Sequence, residues 1–175
     1  YSIDLCRFPQ DCEPNTLTLS GIFPNSTADP LNPASFHFEA IDRHVRAAQE
    51  AGCRVLWQTS YDVGGSDRWI GFNLGGRAPR DLPLWGKVVR GCLNHFNHGW
   101  KQGLKHSVSM VEFVNEPDGL GGYQKAERAR LIPAFLFFLQ QIREHNLEHP
   151  DFPVVAVGPG VPLSWDRWSV FRPQF

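Results

Sequence analysis

The residues best suited to chemistry lie in one short segment, Val111-Glu112-Phe113-Val114-Asn115-Glu116-Pro117-Asp118. Its first half is apolar enough for a buried strand and its second half turns polar at Asn115-Glu116. Pro117, which has no N–H to donate, stops further strand pairing. In parallel α/β folds, functional side chains sit just past the C-terminal ends of strands. A carboxyl group at such a rim is partly desolvated, which disfavours its charged form and lets it donate a proton near neutral pH. Cleavage of a glycosidic bond needs such an acid to protonate the leaving oxygen. Glu116 is therefore the candidate general acid/base. The plainer use is an exposed loop carboxylate, and a given three-residue string occurs by chance in roughly a few per cent of chains this long.

Such chemistry needs a second carboxylate, about 5–5.5 Å from the first in a retaining mechanism and about 6.5–9.5 Å in an inverting one. Glu112 is excluded, because four residues of strand separate its Cα from that of Glu116 by roughly 13 Å. Even spacing puts both on one face, so Glu112 is expected to point inward and pair with an arginine. Asp62, just past a strand ending near Thr59, is the alternative within the chain, although an Asp there more often caps a loop. Tyr61 and Asp62 at that strand end, with Trp69 in the following loop, are the candidate substrate contacts. Trp57, Trp85 and Trp100 could also line a sugar site, in competition with core packing.

Other constellations are weaker. His95 and His98 share one helix, yet no carboxylate or third histidine is spaced to complete a metal site. Hydrogen bonding to the next loop is the expected use, and no metal or cofactor is expected. His37 and His106 read as structural or surface residues. Ser60 and Ser66 lack a nucleophile-elbow context. The glycines between Tyr61 and Arg80 match neither a P-loop nor a dinucleotide fingerprint, so that stretch reads as a loop over a strand end.

The elements that must position these residues follow from periodicity. Residues 1–35 are rich in Pro, Asn, Asp and Ser, with one expected strand at Leu17–Phe23. Phe38, Ile41, Val45 and Ala48 mark an amphipathic helix over 36–51, with Ser35 as its cap and Gly52 as its stop. Arg54–Thr59 reads as a buried strand. A helix over 84–97 follows, capped by Asp81 with Pro83 in its first turn. Met110–Asn115 is the next strand, a long helix over 123–146 contains Pro133, and Val154–Val157 is another buried strand. Strands alternating with helices predict a parallel sheet covered by helices.

Composition narrows the partners. Net charge is −1, with 17 basic and 18 acidic residues interspersed, which disfavours a nucleic-acid partner. No apolar run reaches the roughly 18 residues of a membrane span. Cys6, Cys12, Cys53 and Cys92 fit no zinc pattern. Cys53 and Cys92 read as buried free thiols, and Cys6 and Cys12 as a candidate local disulfide in a secreted protein. The sequon Asn25-Ser26-Thr27 points the same way, towards an extracellular or secretory location.

The text around Glu116 resembles the acid/base motif of (β/α)8-barrel glycosidases, and more narrowly glycoside hydrolase family 39, the β-xylosidase and α-L-iduronidase type. The resemblance rests on Asn115-Glu116-Pro117-Asp118 and on Glu112, which matches the first Glu of a "WEIWNEPD"-like strand. It extends to His95-Phe96-Asn97-His98-Gly99-Trp100, Gly122-Tyr123, Phe36-His37-Phe38 with Ile41-Asp42, and Val157-Gly158-Pro159-Gly160. It covers about residues 20–160 and departs from the family text at Met110-Val111 and Phe113-Val114. It implies an α/β fold, a (β/α)8 TIM barrel, of which residues 1–175 supply roughly the N-terminal half as one partial domain. It also implies a carbohydrate substrate, Glu116 as acid/base of a retaining mechanism, and Asn115 as the partner of the sugar 2-hydroxyl. In the family the nucleophile is a Glu ending the seventh strand, so it is expected to lie outside this chain. A full barrel takes about 250 residues, and a fragment or truncated product is expected. The rival readings are an inactive carbohydrate-binding or vestigial barrel fragment, and an unrelated (β/α)8 isomerase or lyase. The latter should place metal ligands or a Lys at strand ends.

Overall fold

The computed structural model describes residues 19–59, 79, 81–113 and 125–158, with 20 and 125–129 as backbone alone. Leu19–Ile22 forms one helical turn, α1, where a strand was expected. The buried residues explain the difference: Leu19, Ile22 and Phe23 follow helical spacing and all face the core, and the Phe23 N–H donates to Leu19 O at 2.7 Å. The sequon follows as an exposed turn in which Asn25 Oδ1 accepts from both Thr27 N and Thr27 Oγ1.

Helix α2 spans Glu39–Glu50, starting three residues later than periodicity predicts. Phe36 is held extended and buries its ring together with that of Phe38, while the His37 N–H donates to Ile22 O. Ser35 does not cap the helix; its hydroxyl donates to Asp29 O. Ile41 and Val45 form the buried stripe, and Gly52 adopts a φ of +72° just past the helix end, as its type allows. Strand β1 is Val55–Gln58. Helix α3, Leu82–His98, carries the expected cap: Asp81 Oδ1 accepts from Leu84 N at 3.0 Å, with Pro83 in the first turn. It ends at Gly99, whose left-handed φ of 73° closes the helix.

Strand β2 is Val108–Glu112, two residues earlier than expected at its start. The buried Asn97 side chain sets that start. Its Oδ1 accepts from Ser107 N at 3.0 Å and Val108 N at 2.8 Å, and its Nδ2 donates to Val108 O at 2.9 Å. Helix α4, Lys125–Glu148, includes Pro133, and strand β3 is Val155–Val157. Asn146 repeats the device, accepting from Val154 N and donating to Val154 O. α3 and α4 thus each launch the following strand through an asparagine near the helix C-terminus.

The three strands are parallel in the order β1-β2-β3, with Gln58 aligned on Glu112 and Glu112 on Val157. The expected parallel sheet is present. β3 is less buried than expected, since Val154 is covered but Val155 is 59% exposed on the outer strand among the described residues. Trp57 packs edge-on against Phe96, and Trp85 against Phe113 and Phe138, so both tryptophans are core residues and not sugar platforms. Cys92 is buried, and burial pushes its thiol well above the usual range; Cys53 is only half-buried. Among the described residues, no helix is long and apolar enough to cross a membrane.

Candidate functional site

Two ends of the sheet have different chemistry. At the C-terminal end, backbone pairing continues one residue past each strand: Thr59 N donates to Glu112 O at 3.0 Å, and Phe113 N to Val157 O at 3.2 Å. Gln58, nearly buried, donates from Nε2 to Glu112 Oε2 at 2.8 Å. Gln58, on the neighbouring strand, is thus one partner of the Glu112 carboxylate. Thr59 is fully buried, and its Oγ1 has no hydrogen-bond partner among the described residues. Phe113 is packed beneath this edge against Trp85, Phe135 and Phe138. Asn115 and Glu116, along with Tyr61, Asp62 and Trp69, lie outside the described residues, as do Cys6, Cys12, Ser60, Ser66, Asp118, Gly122 and Tyr123.

The other end carries the helix C-termini. His95 and His98 do not share a ligand there. His95 Nε2 lies 2.8 Å from Asp42 Oδ1, and its Nδ1 lies 2.9 Å from Trp100 O, so both ring nitrogens are engaged. Phe38 stacks on the same ring at 3.6 Å, and Phe36 meets Trp100 edge-on. Bonding of His95 to the following loop matches the sequence-based expectation. Gly103 closes against this ring so tightly that a Cβ would meet His95 O at 2.2 Å. The stretches 36–42 and 95–100, both singled out in the sequence, form one packed and hydrogen-bonded cluster.

His98 turns instead to helix α4. Its Nε2 lies 3.4 Å from His145 Nε2, and its ring stacks on His149 with centroids 3.7 Å apart. One ligand atom from each of the three rings lies within 4.8 Å of the others, a grouping that could hold a metal ion. His145 is fully buried, and its Nδ1 has no partner among the described residues. Desolvation first, then the positive fields of His149, His98 and Arg90, lower its pKa to about 4. Desolvation and His149 also lower that of His98. Both rings are thus held neutral at neutral pH. Spacing along a single helix could not reveal this cluster, because its second and third members come from the end of the next helix.

The fold and this layout define the chain as parallel α/β with helices linking successive strands. No family model matches the chain, and no curated protein does. Among solved structures it is similar to a glucosidase from Croceicoccus marinus, at 22% identity and a TM-score of 0.64. The match covers 87% of this chain and 31% of the glucosidase, so the chain spans about a third of that protein's length. At this identity the likeness is one of fold.

Proposed function

We propose that the chain is part of a retaining glycoside-hydrolase-like (β/α)8 domain acting on a carbohydrate, with Glu116 as general acid/base and Asn115 orienting the sugar 2-hydroxyl. The observation that carries this reading is the strand that precedes them. β2 is the central strand of a parallel sheet, Glu112 and Phe113 form its C-terminal end, and Asn115-Glu116 follows within three residues. That is the end where parallel α/β proteins place their chemistry. The fold likeness to part of a glucosidase supports the same reading. So do the open outer edges of β1 and β3 among the described residues, which further strands of a barrel would cover. Family 39 is the narrower assignment, and the sequence text around Glu116 is its support. Tyr61, Asp62 and Trp69 are proposed as contacts to the sugar, and the nucleophile is proposed to come from another strand end of the whole protein.

The test is leaving-group dependence in the full-length protein carrying this sequence. With Glu116→Gln, turnover of aryl glycosides with poor leaving groups should fall by at least the 10²–10⁴-fold typical of general acid catalysis. Glycosides with activated leaving groups, which need no proton, should be affected far less in the glycosylation step. An equal loss on both substrate types, or none on either, would overturn the role of Glu116.

A further inference from the structure

We propose that His98, His145 and His149 form a binding site for a divalent transition-metal ion of the zinc class, joining the C-termini of α3 and α4 at the end of the sheet opposite the proposed catalytic edge. Zinc takes imidazole nitrogens at 2.0–2.1 Å, and two such ligands at a tetrahedral angle lie about 3.3–3.4 Å apart. The Nε2 atoms of His98 and His145 are 3.4 Å apart. The three ligand atoms lie within 4.8 Å of one another, so the third ring needs to swing by at most about 1.4 Å to reach the same spacing. His149 can make that movement, because it lies just past the last residue of α4 and is only partly buried. Its stack on His98 then opens as its nitrogen turns towards the ion.

The surroundings favour imidazole as a ligand. A metal takes the neutral ring, and three rings with centroids 3.7–5.2 Å apart repel each other's protonated forms. Three histidines leave a fourth position for water. Asp151, close enough to act electrostatically on His98, supplies negative charge at the rim. A bound ion would fasten together the two helix ends from which Asn97 and Asn146 launch β2 and β3, which is a structural role.

Cobalt(II) serves as a spectroscopic probe for such a site, and zinc as its competitor. The metal-stripped protein should bind one equivalent of Co²⁺ at pH 7.5, develop the visible bands of a low-coordinate, nitrogen-ligated ion, and lose them on addition of one equivalent of Zn²⁺. Affinity should fall at least tenfold in His149→Ala and in His98→Ala. Zn²⁺ should raise the melting temperature of the unaltered protein and not that of either variant. His149 is partly exposed, so its variant should keep the unaltered circular dichroism spectrum and separate loss of ligand from loss of fold. Absence of stoichiometric binding would overturn the site. So would binding that persists in both variants, which would place the ion on other residues.

Discussion

Replacing Asn97 by Ala removes three hydrogen bonds at once, and the structure allows the cost to be worked out. The carboxamide accepts from Ser107 N and Val108 N and donates to Val108 O, at 2.8–3.0 Å. Asn97 is 1% exposed and Val108 fully buried, so water cannot replace the lost partner. A neutral hydrogen bond contributes about 1 kcal/mol net, and a buried group left unsatisfied costs about 1–3 kcal/mol. The expected loss is about 2–4 kcal/mol. Asn146→Ala is the internal control: it makes the same kind of bonds to Val154, but from a half-buried position that water can reach. Its expected cost is about 1–2 kcal/mol. Urea unfolding followed by circular dichroism measures both, with an unchanged slope as the check that only stability moved. A loss below about 0.5 kcal/mol for Asn97→Ala, or one no larger than for Asn146→Ala, would refute the claim that this side chain sets the start of β2.

Two further predictions concern the same end of the molecule. With metal chelated, stability should fall as pH drops from about 6.5 towards 4. The pKa of His145 is lowered from 6.5 to about 4 in the folded chain, where His98, His149, Arg90 and Glu148 act on it, so the unfolded state takes up the proton first. At 1.36 kcal/mol per unit this one residue contributes at most about 3–4 kcal/mol above pH 6.5. Urea midpoints at pH 7 and pH 5 test it, and the pH slope should shrink in His145→Gln. Gly103→Ala should cost roughly 2–4 kcal/mol, because the new methyl would meet the His95 backbone at 2.2 Å, which cannot move aside as a flexible side chain would. A thermal melt checks it, and a melting temperature within a degree of the unaltered protein would contradict the packing described.

Helices α2, α3 and α4 and the parallel sheet were legible in the sequence because they depend on local periodicity and on single capping residues. Ile41 and Val45 mark the buried face of α2, and Asp81 with Pro83 begins α3. Strand limits were less legible. β2 begins where Asn97 binds it, and Asn97 is eleven residues upstream on a helix whose pattern says nothing of strands. The non-helical stretch at 36–38 defeated helical periodicity because Phe36 and Phe38 are buried by the later His95 and Trp100. Strand register, which local periodicity does not reveal, brings Gln58 to Glu112. The histidine cluster was illegible for the same reason: His98 has no partner within reach along α3 and gains two when α4 packs beside it.

This separation of local from non-local signals also bears on how far the glycosidase text reaches. Phe36, Phe38, Asp42, His95 and Trp100 carry much of the resemblance beyond the Asn-Glu-Pro segment, and all of them meet in one cluster near the end of α3. The α3 C-terminus adjoins the start of β2, since Asn97 bonds to Val108 there. Four residues of strand, roughly 13 Å, separate Val108 from Glu112 at the opposite end. Residues at the strand-start end fix how helices seat on the sheet and touch no substrate bound at the far edge. What resemblance they carry therefore concerns how the elements pack, and the likeness to part of a glucosidase is likewise one of fold. The proposed acid/base chemistry rests on Asn115 and Glu116. A scaffold can persist after its activity is lost, so the Glu116→Gln experiment weighs more than any further likeness of fold.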